Sequence, residues 1–303
     1  MLDIIISSLA QGCVWAIMAI GVYITYRLLN IADMSAEAVF PLGAAVSAIM
    51  ITNDVNPLIA TVASFFAGSL AGMVAGLIHT KMKIPPLLTG ILVLTGLYTI
   101  NMHVMGRPNI ALIGSNTIFK GLTDYLNLGR NIPVIIVSLI IVAIIVVVLN
   151  AFLHTEIGLA LRSTGDNEQM SQANGINTDN MKTLAYMIGN GLIALSGSLI
   201  AQKDGFADIG MGTGTMVIGM SSLIIAEVVI PNQPLGIRLS SLVVGSFIYR
   251  IIIDLILNQR FFKVEPYDIK LFSAILLGFV LYLPEMKKHL NKYRRNGQLS
   301  GGK

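Results

Sequence analysis

From Ile132 to Leu153 the chain reads IPVIIVSLIIVAIIVVVLNAFL, with no charged residue. About 20 consecutive apolar residues cross the roughly 30 Å hydrocarbon core of a bilayer, so this run fixes the solvent in which the chain must fold. The stretch that follows, His154 to Lys182, reads HTEIGLALRSTGDNEQMSQANGINTDNMK, and a second apolar run, TLAYMIGNGLIALSGSLIA, comes after it. The polar stretch therefore lies in water on one face of a membrane. Asp166 is placed to cap a helix start with Gln169 as its reciprocal partner, and Gly175 to end that helix in the left-handed conformation. These signals predict a short helix near Asn167 to Asn174. Such a helix is marginal alone, since roughly 12–15 residues are needed in water, so it must dock on its own bundle or on a partner. An ordinary ordered loop fits the same residues.

The rest of the chain agrees with a membrane solvent. Of 303 residues 54% are hydrophobic and 12% charged, against about 25% charged in soluble domains. The expected fold is all-α, a polytopic membrane helix bundle. Spans are expected at Ile4–Leu29, Ala38–Ile51, Pro57–Ile78, after the HTKMKIPP loop to Met102, on either side of His154–Lys182, then to Val229, Leu257 and Leu283, about nine in all. One transmembrane domain, residues 1–303, holds them, with a cytoplasmic loop at about 154–182 and a basic tail at about 285–303. The tail, KKHLNKYRR from Lys287 to Arg295, is a cytoplasmic anchor by the positive-inside rule, not a nucleic-acid patch. MLDIII reads as the start of a first span, without the basic region or cleavage site of a signal peptide. Gly106 to Asn131 reads as an external loop with some local structure. Cys13, the single cysteine, sits in an apolar segment and reads as packing.

Charges inside spans cost about 2.5–3.5 kcal/mol each at a lipid-facing helix centre. Asp33, Glu37, Asp208, Glu227, Arg250 and Asp254 should therefore face protein, a cavity or a partner. Arg250 and Asp254, one turn apart, form a structural ion pair. Asp33 and Glu37, also one turn apart but alike in sign, need water or a cavity, or else mark a span end near the headgroups. Glu227 reads as a snorkelling or interface residue. Two stretches share a plan: IADMSAEAVFPLGAAV sets Asp33 ahead of small residues and a helix, and FADIGMGTGTMVIGM sets Asp208 ahead of Gly210, Gly212, Gly214 and a helix. Broken helices at corresponding positions of two halves point to a pathway near the midplane, which makes Asp33, Glu37, Asp208 and the three glycines its candidate lining.

No GxxxxGK[ST] occurs, so the chain carries no nucleotide-binding loop of that type. There is no HExxH or GxSxG, and His79, His103, His154 and His289 are far apart. No catalytic residue, metal site or cofactor is expected.

ADMSAEAVFPLGAA, GLALRSTGDNEQMSQANGI with the later SGSLIAQ, and GFADIGMGTGT followed by LIIAE resemble the permease subunit of bacterial ABC importers, in the branched-chain amino acid and simple-sugar permease family. The nearer likeness is to a branch associated with amino-acid uptake, which Tyr249–Arg250 also fits. The resemblance covers nearly the whole chain, and its most specific part is the GxxxRxxGxN pattern of Gly158, Arg162, Gly165 and Asn167. It implies that Gly158, Arg162, Gly165, Asp166, Asn167 and Gly175 belong to a loop whose helix docks into a cytoplasmic ATPase dimer that binds the ATP. It also implies a second permease subunit, as in a homodimer, an extracytoplasmic substrate-binding protein, and a multi-pass location in the bacterial inner membrane with the C-terminus cytoplasmic. Ala38 and Ala226 stand where glycine is usual, which puts close backbone packing there in question. The competing reading is an ion-coupled secondary transporter using Asp33, Glu37 or Asp208 as a proton or sodium site. A third is a non-transporting membrane scaffold.

Overall fold

The computed structural model describes residues 2–126, 131–231, 233–257, 268 and 270–282. Helix α1 (Leu2–Val22) continues into a π-helical turn (Tyr23–Leu28) and is followed by α2 (Ala36–Thr52), α3 (Pro57–Lys81) and α4 (Pro86–Met105). Strand β1 (Asn109–Ala111) and α5 (Ile118–Leu126) fill the expected external loop. Then come α6 (Asn131–Leu153), α7 (Glu156–Asp166), α8 (Glu168–Ala173) and α9 (Thr178–Asp204). Strand β2 (Phe206–Asp208), a 3-10 turn (Ile209–Gly212), α10 (Thr215–Val229) and α11 (Leu235–Leu257) follow, and α12 runs over Lys270–Tyr282. The basic tail lies outside the described residues.

The molecule is an all-α bundle in which, among the described residues, seven helices are long and apolar enough to cross a bilayer. Two of the nine expected spans, α2 and α12, are apolar helices shorter than that. For α2 the reason is local. Its 17 residues rise about 25 Å at 1.5 Å each, and the chain enters it from the bundle interior, where Asp33 meets Asn190 in the middle of α9.

Helix α9 is the centre of the bundle, packed against α2 and α3. Gly68, Gly72 and Gly76 of α3 recur every fourth residue and face it. A methyl group on Gly72 would run into the Tyr186 carbonyl, and one on Gly76 would lie 2.8 Å from the Thr183 Cα. Small residues let helices approach closely where lipid supplies no hydrophobic drive. Gly43 of α2 and Gly197 of α9 make the matching approach, and Trp15 of α1 stacks on Phe40 of α2 at 5.2 Å. At one end of the bundle β1 pairs antiparallel with β2, Asn109 opposite Asp208. Gln202 ties α9 to α3 and α5 there, donating to Thr61 Oγ1 at 2.8 Å and accepting from the Ile118 N–H at 3.1 Å. Helices α7 and α8 lie at the opposite end.

Candidate functional site

The two stretches read as broken helices meet in space. Chain 29–35 turns back into the bundle and starts α2; chain 209–214 turns back from β2 and starts α10. The two aspartates do the same local work, each accepting the N–H of the residue two further on. Asp33 Oδ1 takes Ser35 N at 2.9 Å and Ser35 Oγ at 2.6 Å, and Asp208 Oδ1 takes Gly210 N at 2.7 Å. This turn chemistry accounts for their shared sequence plan. The aspartates do not meet each other. Asp33, 1% exposed, also accepts from Asn190 Nδ2 at 2.7 Å and anchors α2 to α9. Asp208 sits at the strand pair, 3.2 Å from Asn109 Nδ2.

Glu37 joins the two stretches. Its Oε1 accepts the Gly214 N–H at 3.0 Å, at a glycine with φ of 84°, a conformation that favours glycine. Gly212 lies flat on the Glu37 carbonyl and the Pro41 ring, with no room for a side chain. Beside this junction is a cavity of about 110 Å³ lined by Glu37, Pro41, Tyr98, Asn101, Gly210 and Thr213 among others. Tyr98 and Asn101 of α4 were not among the expected site residues; a lone amide inside the apolar run LYTINMHV was the available signal.

Stretch 154–182 departs from expectation. It forms two helices rather than one. Thr155 caps α7, its hydroxyl accepting from Gly158 N at 3.3 Å, and Leu161 and Thr164 are buried on its inner face. The cap of α8 is Asn167, whose Oδ1 accepts Met170 N at 2.9 Å; Asp166 is instead the last residue of α7, and Gln169 does not complete a box with it. Gly175 has φ of 81° just beyond α8. The two motif glycines permit contact: Gly158 lies on the Phe152 carbonyl at the end of α6, and Gly165 on the Leu28 carbonyl at the end of the π-helical turn. Asn30 Nδ2 donates to Gly165 O at 3.3 Å. Arg162 is half-buried and has no hydrogen-bond or ionic partner among the described residues. Ile157, Leu159 and Met170 are 52%, 51% and 65% exposed.

The remaining intramembrane charges are placed as follows. Arg250 Nε lies 3.2 Å from Asp254 Oδ1, off hydrogen-bond alignment, and Ser8 Oγ donates to Asp254 Oδ2 at 2.6 Å. Glu227 does not simply snorkel; it pairs with Arg27 of the π-helical turn at 2.6 Å. At Ala226 close packing is kept by the opposite helix, since a methyl on Gly245 would lie 2.8 Å from the Ala226 Cβ. Among the described residues no three His, Cys, Asp or Glu side chains cluster as metal ligands.

Residues 4–283 match the family described as the permease component of the branched-chain amino acid transport system. The chain belongs to this family. It is 39% identical over 295 residues to a tyrosine transport system permease protein of Clostridioides difficile, covering 97% of this chain and 95% of that one. It is 30% identical to an uncharacterised protein of Rickettsia prowazekii (93% and 96% covered), and 26% identical to a ribose import permease of Haemophilus influenzae (80% and 75% covered). No solved structure matches. This permease is a multi-pass protein of the bacterial inner membrane and a transport component rather than an enzyme.

Proposed function

We propose that this permease is the membrane subunit of an ATP-driven importer of an amino acid, and that a separate ATPase drives it through α7 and α8. The whole chain then acts as one transmembrane domain. Two copies enclose the pathway, a substrate-binding protein delivers the solute from outside, and the α7–α8 end and the basic tail face the cytoplasm. Similarity to a tyrosine permease along almost the whole of both chains supports an amino-acid cargo. The observation that carries the coupling role is the α7–α8 surface. Ile157, Leu159 and Met170 stay exposed on short helices beyond the spans, next to Arg162, which has no partner among the described residues. Exposed apolar residues grouped with an arginine fit a protein partner.

The pathway assignment follows the same reading. Glu37 and the glycines at 210, 212 and 214 line or shape the path, with Asp33 and Asp208 fixing the backbone that presents them. Among the described residues the three carboxylates of the ion-coupled alternative share no hydrogen-bond partner, so no two of them form a joint ion site. The test is uptake of radiolabelled L-tyrosine by proteoliposomes holding the permease, its ATPase and its binding protein. Uptake should need internal ATP and survive collapse of the proton and sodium gradients. Uptake lost on collapsing either gradient with ATP present would overturn the ATP-driven reading.

A further inference from the structure

We propose that the cavity between α2, α4 and the 209–214 turn is the permease's own contact with cargo, and that it receives a primary ammonium group. This rests on the amino-acid reading above. Asn101 is 1% exposed and lines the cavity. Its Nδ2 donates to the Ala38 carbonyl at 2.9 Å. A carbonyl only accepts, so the amide orientation is fixed by that bond, and the other end is Oδ1. Oδ1 has no partner among the described residues. A buried acceptor left without a donor costs free energy, so this atom marks a place that a donor fills.

Glu37 lines the same cavity and uses one carboxylate oxygen on Gly214 N–H, while the second has no hydrogen-bond partner among the described residues. A carboxylate and an amide oxygen together offer acceptors only. The group that satisfies both is a cation carrying several N–H donors, and an ammonium carries three. At about 110 Å³ the cavity admits the head of an amino acid and excludes a large side chain, which would lie outward along the exposed ring of Tyr98. Glu37 also closes the junction between the two broken helices, so occupation of this site and opening of the turn at Gly214 involve the same side chain.

The test uses the complete complex in proteoliposomes with L-tyrosine and its des-amino analogue 3-(4-hydroxyphenyl)propionate as probes. Glu37→Gln keeps an oxygen for Gly214 N–H but loses the charge; Asn101→Leu removes the orphan acceptor. Each should lower the maximal L-tyrosine uptake rate by about tenfold or more, the scale of a lost charged hydrogen bond, with binding-protein affinity for L-tyrosine unchanged. The des-amino analogue, delivered at saturating concentration, should be moved equally poorly by wild type and both variants. Full uptake by both variants overturns the site while leaving the importer reading intact. No wild-type uptake of any amino acid sinks the importer reading itself. Sodium-dependent wild-type uptake that becomes sodium-independent in Glu37→Gln would assign the cavity to a metal cation and overturn the ammonium proposal.

Discussion

Asp33 is the most informative buried group to perturb, because its partners come from two helices. Its Oδ1 accepts the Ser35 N–H and hydroxyl, and its Oδ2 accepts Asn190 Nδ2, which also donates to the Tyr186 carbonyl at 3.1 Å. In Asp33→Asn one oxygen becomes an NH2. If the oxygen stays on Ser35, that NH2 faces the NH2 of Asn190, which Tyr186 prevents from turning over freely. One charge-assisted bond is then lost, at about 1.5–3 kcal/mol. Asp33→Ala removes both acceptor oxygens and leaves three donors without an acceptor, so it should cost more, at about 1–3 kcal/mol for each donor that finds no other partner. The assay is reversible unfolding of the purified permease in mixed micelles, run as a cycle of Asp33→Ala, Asn190→Ala and the double variant. The double variant should cost less than the sum of the singles by about 1.5–3 kcal/mol, the range of directly contacting pairs. Additive costs would show that the Asp33–Asn190 contact is not what ties α2 to α9.

Two further outcomes are expected. Gly72→Leu should break the α3–α9 seam and destabilise the fold by at least 1–3 kcal/mol, the usual cost of overpacking, whereas Gly96→Ala, with nothing within 4 Å of the added methyl, should unfold like wild type in the same assay. In a chain freed of Cys13, a cysteine replacing exposed Gln169 should react with an impermeant maleimide only from the cytoplasmic side, and one replacing exposed Asn116 only from outside; reaction of the former from outside would invert the orientation.

The spans and their breaks were legible because each depends on local composition. Runs of apolar residues mark the long helices, and Asp33 and Asp208 ahead of small residues mark turns that a carboxylate closes two residues on. Pairings across the chain were not legible in the same way. Glu227 finds Arg27, 200 residues earlier in the sequence, and only the packing of α10 against α1, which the π-helical turn continues, brings them together. Helix α7 starts at the Thr155 cap, outside the Asp166–Gly175 signals from which one short helix was expected. Missing α7 then put the cap one residue early, at Asp166 instead of Asn167, since which residue caps α8 depends on where α7 ends. Asn101 was passed over because one amide in an apolar span carries no signal of what it faces. The every-fourth-residue glycines of α3 drew no expectation, since the helix they approach, α9, is named only by coordinates.

The account's central claim is that α7 and α8 transmit the work of an ATPase to the pathway. Arg162 stands on that surface without a hydrogen-bond or ionic partner among the described residues, and its planar fork bonds helix carbonyls or carboxylates in a geometry that Lys does not reproduce. Met170 lies inside α8, where proline costs about 3 kcal/mol. The deciding measurement is ATP hydrolysis by the reconstituted complex with and without substrate-loaded binding protein. Arg162→Ala, Arg162→Lys and Met170→Pro should each lose stimulation and uptake together, with binding-protein affinity for substrate unchanged. Full stimulation and full uptake in all three would contradict the claim, and Lys serving as well as Arg at position 162 would reduce that residue to a headgroup anchor.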